Sequence, residues 1–313
     1  MSERPILVTG AAGFIGRQVV ARLAQTGRAL RLLDLQVDRD LAAGHQIFEG
    51  SVADPHLVER ACRGAGGIIH LAHLIDIDGS RPFDSVSVNI VGTANVFRSA
   101  LEIDIRRVVW ASSVMTYGAL PDGSAAAEDH VQAPATFYGA GKLYLEQLGR
   151  SCRRRGLETV GLRMTTVFGP GRDRGGAAPF VVELFRETAA GRPVSLAEGD
   201  RRVDAVYGPD AARACILALD APLPLAAAYN VGGFSARVRD LADEVRRHVP
   251  LASIEVLPGG TNPWPEAVDC SAALRDFGYA PEFGLAEAVP HYLASLREGL
   301  RPAASRSTKE NNK

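Results

Sequence analysis

The chain has 313 residues, 46% hydrophobic and 23% charged, with a formal net charge of −1. These values fit a globular protein with a sizeable core, and the length favours about two domains or one extended α/β unit. The near-neutral charge argues against binding to nucleic acid or to an acidic membrane. Because the chain enters a strand without a signal peptide, has no membrane-spanning run and shows no paired cysteine spacing, we expect a cytoplasmic protein.

The N-terminal segment carries a glycine-rich turn between a strand and a helix. An apolar run over 6–8 precedes T-G-A-A-G-F-I-G at 9–16, and a helical pattern continues to Ala24. In this context the three glycines permit a tight turn, close approach of the backbone to a pyrophosphate, and close packing of helix on strand. The N–H groups and positive dipole at the start of the helix favour phosphates. The pattern predicts a dinucleotide site whose contacts are Gly10, Gly13, Phe14, Ile15 and Gly16.

The second predicted strand, 29–33, ends at Asp34. This acid follows the last glycine at about the 20-residue distance at which a carboxylate accepts hydrogen bonds from the adenosine ribose. A 2′-phosphate there would face like charge, and no arginine is adjacent. NAD is therefore favoured over NADP as the cofactor. The alternative is a loop or N-cap aspartate, which is common at such positions.

Further strands are predicted over 46–50, 67–71 and 107–111, with helices over 55–63 and 83–102. Polar residues follow these strands at the carboxyl edge, where cofactors lie in doubly wound sheets. Asp54 is either an adenine contact or only the N-cap of its helix. We expect the cofactor edge to include Val52, Asp54, Leu71, Ala72, His73 and Asn89.

This alternation of strands and helices predicts an α/β fold with a doubly wound parallel (Rossmann) sheet and right-handed crossovers. The regular alternation extends over residues 1–165, which we predict to form an NAD-binding domain. After a strand at 159–162 the alternation becomes less regular, which indicates a smaller C-terminal α/β substrate domain over 166–300, with later segments returning to the first domain. The polar segment 301–313 is predicted to be a disordered tail.

Three residues carry the predicted chemistry. Tyr138 and Lys142 are four positions apart, so on a helix they share one face. A phenol of pKa about 10 needs roughly three units of depression to act as an acid/base near neutral pH, and a nearby ammonium has the correct sign. Ser113, at a strand end, is placed to hydrogen-bond the substrate oxygen. The alternative, an unrelated surface Tyr–Lys pair, leaves the convergence of these residues unexplained.

Together, these motifs resemble the extended short-chain dehydrogenases/reductases, and more narrowly the NAD-dependent epimerase/dehydratase group typified by UDP-galactose 4-epimerase. The segments are T-G-A-A-G-F-I-G, Asp34, H-L-A-H at 70–73, S-S-V-M-T-Y-G at 112–118 and Y-G-A-G-K at 138–142. The resemblance implies a catalytic set of Ser113, Tyr138 and Lys142, with Lys142 also holding the nicotinamide ribose. It further implies a homodimer formed through the two long helices that end near Glu102 and Arg155. No metal is predicted, because the histidines lack ligand spacing.

Departures from the family pattern narrow the reaction. Related dehydratases carry an acidic pair after the strand-end serine or threonine, and related decarboxylases usually keep a glutamate there. This chain has Val114 and Met115. Since these side chains cannot move protons, dehydration and decarboxylation of those kinds are disfavoured. Epimerisation or net oxidation of a secondary alcohol remains.

Departures also occur in the substrate half. Thr166 replaces a common asparagine, Val203 replaces a common arginine, and a later arginine is missing near Pro265. A diphosphate still needs cationic partners. Arg163, Arg172 and Arg174 are possible substitutes, although arginines in loops are usually solvated. The residues predicted to bind substrate are His73, Ser113, Val114, Thr165, Thr166, Arg174 and Arg202.

The sequence therefore predicts an NAD-dependent sugar epimerase, most simply one that acts on a nucleotide-linked hexose at C4. A second hypothesis is an NAD-dependent dehydrogenase or reductase of a free sugar acid, a sterol-like molecule or a small hydroxy substrate, which the missing arginines favour. A third hypothesis is a catalytically idle NAD-sensing protein.

Overall fold

A computed structural model describes residues 4–120, 123–172 and 178–300 of the chain. Its strands alternate with helices through the first half, as the sequence predicts. The strands are β1 (Ile6–Thr9), β2 (Leu30–Asp34), β3 (Gln46–Glu49), β4 (Gly67–His70), β5 (Arg107–Ser113), β6 (Glu158–Met164), β7 (Thr166–Phe168), β8 (Val194–Leu196), β9 (Arg202–Tyr207), β10 (Ala228–Val231), β11 (Phe234–Arg237) and β12 (Ile254–Val256).

The main sheet contains seven parallel strands in the order β10-β6-β5-β4-β1-β2-β3. The order reverses at β1 and β4, which is the switch point where doubly wound sheets bind ligands. Apolar clusters cover both faces of the sheet, with Val19 and Ala211 on one side and Val96 and Leu145 on the other. The predicted Rossmann fold class is confirmed.

The described helices flank this sheet and the elements beyond it. They are α1 (Phe14–Gln25), α2 (Arg39–Ala42), α3 (Pro55–Cys62), α4 (Pro82–Ser85), α5 (Gly92–Glu102), α6 (Phe137–Arg153), α7 (Pro179–Ala189), α8 (Gly208–Asp220), α9 (Val238–His248), α10 (Ser271–Phe277) and α11 (Leu285–Leu300). In the part of the chain that the structure describes, no helix combines the length and apolar character needed to cross a bilayer.

The helix predicted over 83–102 contains a wider turn. Between α4 and α5 the backbone forms a π-helix over Val86–Val91. Such turns are rare and often lie at functional sites. Here the turn carries the buried Asn89, whose side chain binds the backbone of Leu74. Apolar periodicity does not distinguish this turn from a regular α-helix.

The later elements form two small sheets and one return to the main sheet. Strand β9 pairs with β7 and β11, while β8 pairs with β12. An apolar cluster that includes Phe168, Phe185 and Tyr207 lies under them. Strands β7, β8, β11 and β12 are absent from the sequence prediction, because strands this short show little period and these four lie beyond the regular alternation that identified the equally short β1, β3 and β4. The tail over 301–313 lies outside the described residues.

The glycine turn holds β1, α1 and the end of β4 in close contact. Gly10 has φ of +68°, a conformation that favours glycine, and a Cβ there would lie 2.6 Å from the backbone of Leu71 and Ala72. A Cβ on Gly16 would lie 2.0 Å from the Gly10 carbonyl oxygen. The turn therefore excludes larger side chains at both positions.

We predict that Gly16→Ala destabilises the protein by about 1–3 kcal/mol, because the added methyl must displace backbone atoms. The free energy of unfolding in urea measures this change. Gly141→Ala is the matched control, since the nearest heavy atom would lie 3.6 Å away; we expect a neutral effect or a gain of up to about 1 kcal/mol in helix stability. Equal stability of the two variants would contradict the close contact at Gly16.

Candidate active site

The carboxyl ends of β1, β4 and β5 meet at one edge of the main sheet. Thr9 pairs with His70, and His70 pairs with Trp110. Each strand leads to one predicted part of the site. Strand β1 is followed by the glycine turn, β4 is followed by residues 71–73, and β5 ends at Ser113. The fold thus brings three predicted parts of the site to one edge.

Asp34 ties the glycine turn to the end of β2. One carboxylate oxygen accepts a hydrogen bond from the Ala12 N–H at 2.8 Å, and the other accepts one from the Leu35 N–H at 2.7 Å. Each carboxylate oxygen keeps a second lone pair for a ligand. The first turn of α1 has no side-chain cap, so its N–H groups remain available to an anion. These features fit the pyrophosphate and the ribose of a dinucleotide.

Three predicted cofactor residues have structural partners at the same edge. Asp54 caps α3, because one of its oxygens accepts hydrogen bonds from two N–H groups of the first turn. Val52 is buried against Gly92. Asn89 accepts from the Leu74 N–H at 2.7 Å and donates to its carbonyl at 2.8 Å. Their contacts with NAD remain predictions.

Tyr138 and Lys142 lie on the first turns of α6, as predicted. The Thr136 side chain accepts a hydrogen bond from the Gly139 N–H and so caps this helix. Tyr138, Lys142 and Asn89 line the same cavity, of about 170 Å³. The cavity joins the catalytic helix to the π-helical turn.

Strand β5 carries the remaining residue of the predicted catalytic set. Lys142 Nζ donates to the Ala111 carbonyl at 2.6 Å, and Ser113 lies two residues further along the same strand. The Ser113 hydroxyl oxygen accepts a hydrogen bond from the Met115 N–H at 3.2 Å. Ser113 and Lys142 therefore share one short segment of backbone.

The electrostatics around Tyr138 differ from the expected arrangement. Burial raises the pKa of Tyr138 above its ordinary value, and the positive charge that opposes this is Arg172. Lys142 Nζ lies 5.3 Å from the centroid of the Tyr138 ring and is bonded to Ala111. Burial also lowers the pKa of Lys142 well below its usual value, with Glu146 acting against this. Among the described residues, Arg172 and not Lys142 is thus the charge that opposes the rise of the Tyr138 pKa.

Behind the catalytic helix lies a buried ion pair that the sequence analysis missed. Glu146 and Arg163 form a bidentate pair, with contacts of 2.9 and 2.7 Å. Glu146 also accepts hydrogen bonds from Ser112 and Gln132. Arg163 is thus occupied in the core, so it does not substitute for the missing substrate arginines. The only sequence signal was the position of Glu146 one turn after Lys142.

The predicted substrate residues are spread more widely. Val114 is buried in an apolar cluster with Met115 and Trp264. Thr165 is buried near the Asp204 carboxylate, whose pKa is raised by burial and held back by hydrogen bonds from the Gly233 and Val268 N–H groups. Thr166 begins β7 and pairs with Ala205 of β9. Arg202 begins β9, three residues before Ala205. Arg174 lies outside the described residues.

His73 follows β4 at the cofactor edge. Burial lowers its pKa well below the ordinary value, and the Lys142 charge acts in the same direction. The imidazole is therefore neutral near pH 7. In the described part of the chain, no three His, Cys, Asp or Glu residues are grouped to hold a metal ion.

We predict that Tyr138 stays protonated through pH 10 in the NAD-free protein, because burial raises its pKa. The ¹³Cζ resonance of labelled Tyr138, assigned with Tyr138→Phe, follows the ionisation. Adding the predicted cofactor NAD should lower the pKa, since its nicotinamide ring is positive, and Arg172→Gln should raise the pKa further. A phenolate that forms below pH 10 without NAD would contradict this account.

Comparison with known proteins identifies the family. Residues 6–232 match the model of the NAD dependent epimerase/dehydratase family. UDP-glucuronate 4-epimerase 2 of Arabidopsis thaliana is 28% identical, over 96% of this chain and 78% of that protein. The structure of Thermus thermophilus UDP-glucose 4-epimerase with NAD is 27% identical, with a TM-score of 0.83 over 94% of this chain and 99% of that chain.

A related structure carries another activity. The GalE-like L-threonine dehydrogenase from Cupriavidus necator is 26% identical, with a TM-score of 0.81 over 93% of this chain and 99% of that chain. The shared fold therefore extends to a dehydrogenase. Since the family model covers well over half of the residues, the chain belongs to the NAD dependent epimerase/dehydratase family, with NAD as its cofactor.

Proposed function

We propose that the protein is an NAD-dependent nucleotide-sugar 4-epimerase. The observation that supports this proposal is the position of Lys142, which lines one cavity with Tyr138 and donates to the Ala111 carbonyl, two residues before Ser113 on β5. A secondary alcohol bound there has a proton acceptor, an oxygen-binding hydroxyl and a cofactor edge within one site. These are the parts that reversible alcohol oxidation requires.

Each residue has a distinct role in this reaction. NAD, when bound, accepts and returns the hydride. Tyr138 takes the proton of the substrate hydroxyl and returns it after the ketone has rotated to present its other face. Ser113 holds the substrate oxygen. Lys142, fixed by the Ala111 carbonyl, places a positive charge beside the Tyr138 ring and near the ribose position. The glycine turn and Asp34 hold the pyrophosphate and the adenosine ribose.

The surroundings of Ser113 favour epimerisation over elimination. Val114 and Met115 are buried in an apolar cluster with Tyr117 and Trp264. No carboxylate therefore occupies the position at which related dehydratases carry their acidic pair. The Arabidopsis relative and the Thermus structure described above are both named as 4-epimerases of UDP-sugars.

We place the substrate between this edge and the elements over 166–300. Arg172 is a second cation beside this edge, because its charge lowers the pKa of Tyr138 and its guanidinium carbon lies 5.8 Å from the centroid of the Phe14 ring. It is therefore a candidate partner for an acidic group of the substrate. Thr165, Thr166 and Arg202 are proposed to line the rest of the site.

A second candidate function is oxidation of a small hydroxy substrate with release of NADH. Two observations favour it: Val203, where sugar-nucleotide enzymes often carry arginine, is buried in an apolar cluster, and Arg163 is held by Glu146. The threonine dehydrogenase from Cupriavidus shows that a protein of this fold and similar sequence has such an activity.

Incubation with UDP-glucose, UDP-glucuronate and L-threonine separates these functions. We predict conversion of a UDP-sugar to its C4 epimer, detected by chromatography, without net absorbance of NADH. Tyr138→Phe should lower the rate by about 10²–10⁴-fold, because the proton acceptor is lost, while NAD binding persists. Tyr144→Phe, an exposed residue of the same helix, is the control and should leave the rate unchanged.

Other outcomes reject the epimerase. Net accumulation of NADH with L-threonine or another hydroxy substrate would support the dehydrogenase. Binding of NAD without turnover of any substrate would support a sensing protein. Full activity of Tyr138→Phe would remove this residue from the mechanism.

We further propose a homodimer formed by the faces of α4, the π-helix and α5, together with α6. These helices pack against one another and leave large apolar side chains exposed, including Phe83, which is 88% exposed, Val86, Val91 and Tyr144. Apolar patches of this kind mark interaction surfaces. The related family members imply the same pair of helices.

We predict a solution mass near twice the 33.3 kDa of one chain, measured by light scattering after size-exclusion chromatography. The double variant Phe83→Asp/Tyr144→Asp should shift the protein to a monomer, because it buries charge in the interface. Leu251→Asp changes a leucine that is 98% exposed, outside these helices, and should leave the mass unchanged. A monomeric wild-type protein would contradict the proposal.

A further inference from the structure

Asn230 lies on β10, the edge strand of the main sheet, and is fully buried. Its Nδ2 group donates to the carbonyls of Ala126 and Asp269, at 2.8 and 3.1 Å. Its Oδ1 accepts a hydrogen bond from the Tyr117 hydroxyl at 2.9 Å, and its backbone N–H donates to the Glu128 carboxylate at 2.9 Å. Both hydrogens of the side-chain amide are therefore used, and they tie separate segments of the chain to the sheet.

Two of these segments are also joined to each other. An isolated parallel bridge connects Ala126 with Val268, and two backbone hydrogen bonds of 2.9 and 3.0 Å hold it. Ala126 belongs to the connection between β5 and α6, whereas Val268 belongs to the irregular stretch between β12 and α10. Because Asn230 donates to a carbonyl of each segment, it fixes the bridge against the main sheet.

The stretch around Val268 has other anchors, and these lie on the small sheet. The Asp204 carboxylate on β9 accepts a hydrogen bond from the Val268 N–H at 3.1 Å, and the Ser235 hydroxyl on β11 donates to the Glu266 carbonyl at 2.8 Å. These bonds hold the stretch to β9 and β11, whereas Asn230 holds it to the main sheet. Asn230 therefore helps to set how this stretch lies relative to the catalytic edge.

The same hydrogen bonds continue to the catalytic helix. Arg163 of β6 pairs with Asn230 of β10 in the register of the main sheet. Its guanidinium donates to the Tyr117 hydroxyl and, at 2.9 Å, to the Glu128 carbonyl, and it forms the buried ion pair with Glu146 on α6. A connected set of buried polar groups thus joins α6 to the bridged segments.

The bridged segments contribute to an apolar cluster beside the catalytic edge. Ala126 and Trp264 are buried in this cluster with Val114, and Tyr138 packs against it. Trp264 belongs to the same irregular stretch as the bridge and is 7% exposed. The centroid of its indole lies 5.4 Å from the guanidinium carbon of Arg201. Trp264 therefore connects the elements beyond the main sheet with the cluster that supports Tyr138.

We propose that the exposed part of Trp264 contacts the substrate and that Asn230 is the positioning residue for this tryptophan. An indole offers a rigid apolar surface, which suits the carbon–hydrogen groups of a sugar ring. Asn230 acts through the bridge, which keeps the indole at a fixed place beside Tyr138. The contact with a sugar rests on the function proposed above, whereas the positioning of Trp264 does not.

The position of the indole is tested first, without substrate. The chain has two tryptophans, so Trp110→Phe leaves the emission of Trp264 alone. In that background we expect Asn230→Leu to shift the emission to longer wavelength and to increase its quenching by acrylamide, because the bridged carbonyls lose their donor and the indole gains contact with water. Glu128→Gln keeps an acceptor for the Asn230 N–H and should leave the emission unchanged.

Asn230→Asp is a second variant of the same position. It keeps the shape of the side chain but has at most one hydrogen for the two carbonyls, so the emission should move in the same direction. Thermal unfolding checks the fold of each variant. Unchanged emission and quenching of Trp264 in a folded Asn230 variant would overturn the positioning role. Failure of both variants to fold would assign Asn230 to the stability of the fold instead.

Kinetics test the contact with substrate. With UDP-glucose or UDP-glucuronate, we expect Trp264→Ala and Asn230→Leu to raise KM about three- to tenfold with a smaller change in kcat, and Trp264→Phe to stay within about twofold of wild type, since a phenyl ring keeps most of the apolar contact. The affinity for NAD, measured by calorimetry, should be the same in all three variants as in wild type.

Three results would reject the substrate contact. The first is an equal KM of Trp264→Ala and wild type. The second is weaker binding of NAD by Trp264→Ala, which would assign the side chain to the cofactor. The third is the absence of UDP-sugar turnover by the wild-type protein, which would reject the proposed function and with it the sugar contact, while the emission measurement would still decide the role of Asn230.

Discussion

The geometry of the active site depends on the buried ion pair between Glu146 and Arg163. Their side chains are 2% and 1% exposed, and removing such ions from water costs several kcal/mol each unless every polar atom is paired. Glu146 meets this demand through Arg163, Ser112 and Gln132. Since Glu146 lies one turn after Lys142 and Ser112 adjoins Ser113, satisfying the pair fixes α6, β5 and β6 relative to one another.

This rigid frame has an electrostatic consequence for the catalytic residues. Burial favours the neutral form of the Tyr138 phenol and also lowers the pKa of Lys142. The described residues therefore keep the Tyr138 phenol protonated, and the negative Glu146 lies behind Lys142 and not beside the phenol. Arg172 is the residue whose charge opposes this tendency. If Tyr138 is the proton acceptor, as we propose, further positive charge must reach the site before the phenol can act as a base.

The sequence predicts those parts of the site that depend on short spacing. The glycine turn and the Tyr138–Lys142 pair are each set by neighbours within one or two helical turns, so their geometry follows from local structure. The pairing of Glu146 with Arg163 depends on how β6 lies against α6, and the hydrogen bonds of His70 with Thr9 and Thr93 join strands and a helix far apart in the chain. From the sequence alone, Arg163 could not be distinguished from an exposed arginine that binds substrate, whereas in the structure its side chain is buried.

The fold also limits which residues can recognise the substrate. Val203 lies in the apolar cluster beneath β9, with Leu241 and Val245, so an arginine there would be buried unless the surrounding packing also changed. An unpaired buried cation costs more than one hydrogen bond returns. The departure from the family pattern is therefore built into the packing of this chain, so a nucleotide-sugar substrate of the kind we propose needs a cation from another position. Arg172, which already acts on Tyr138, is the described cation best placed for that task.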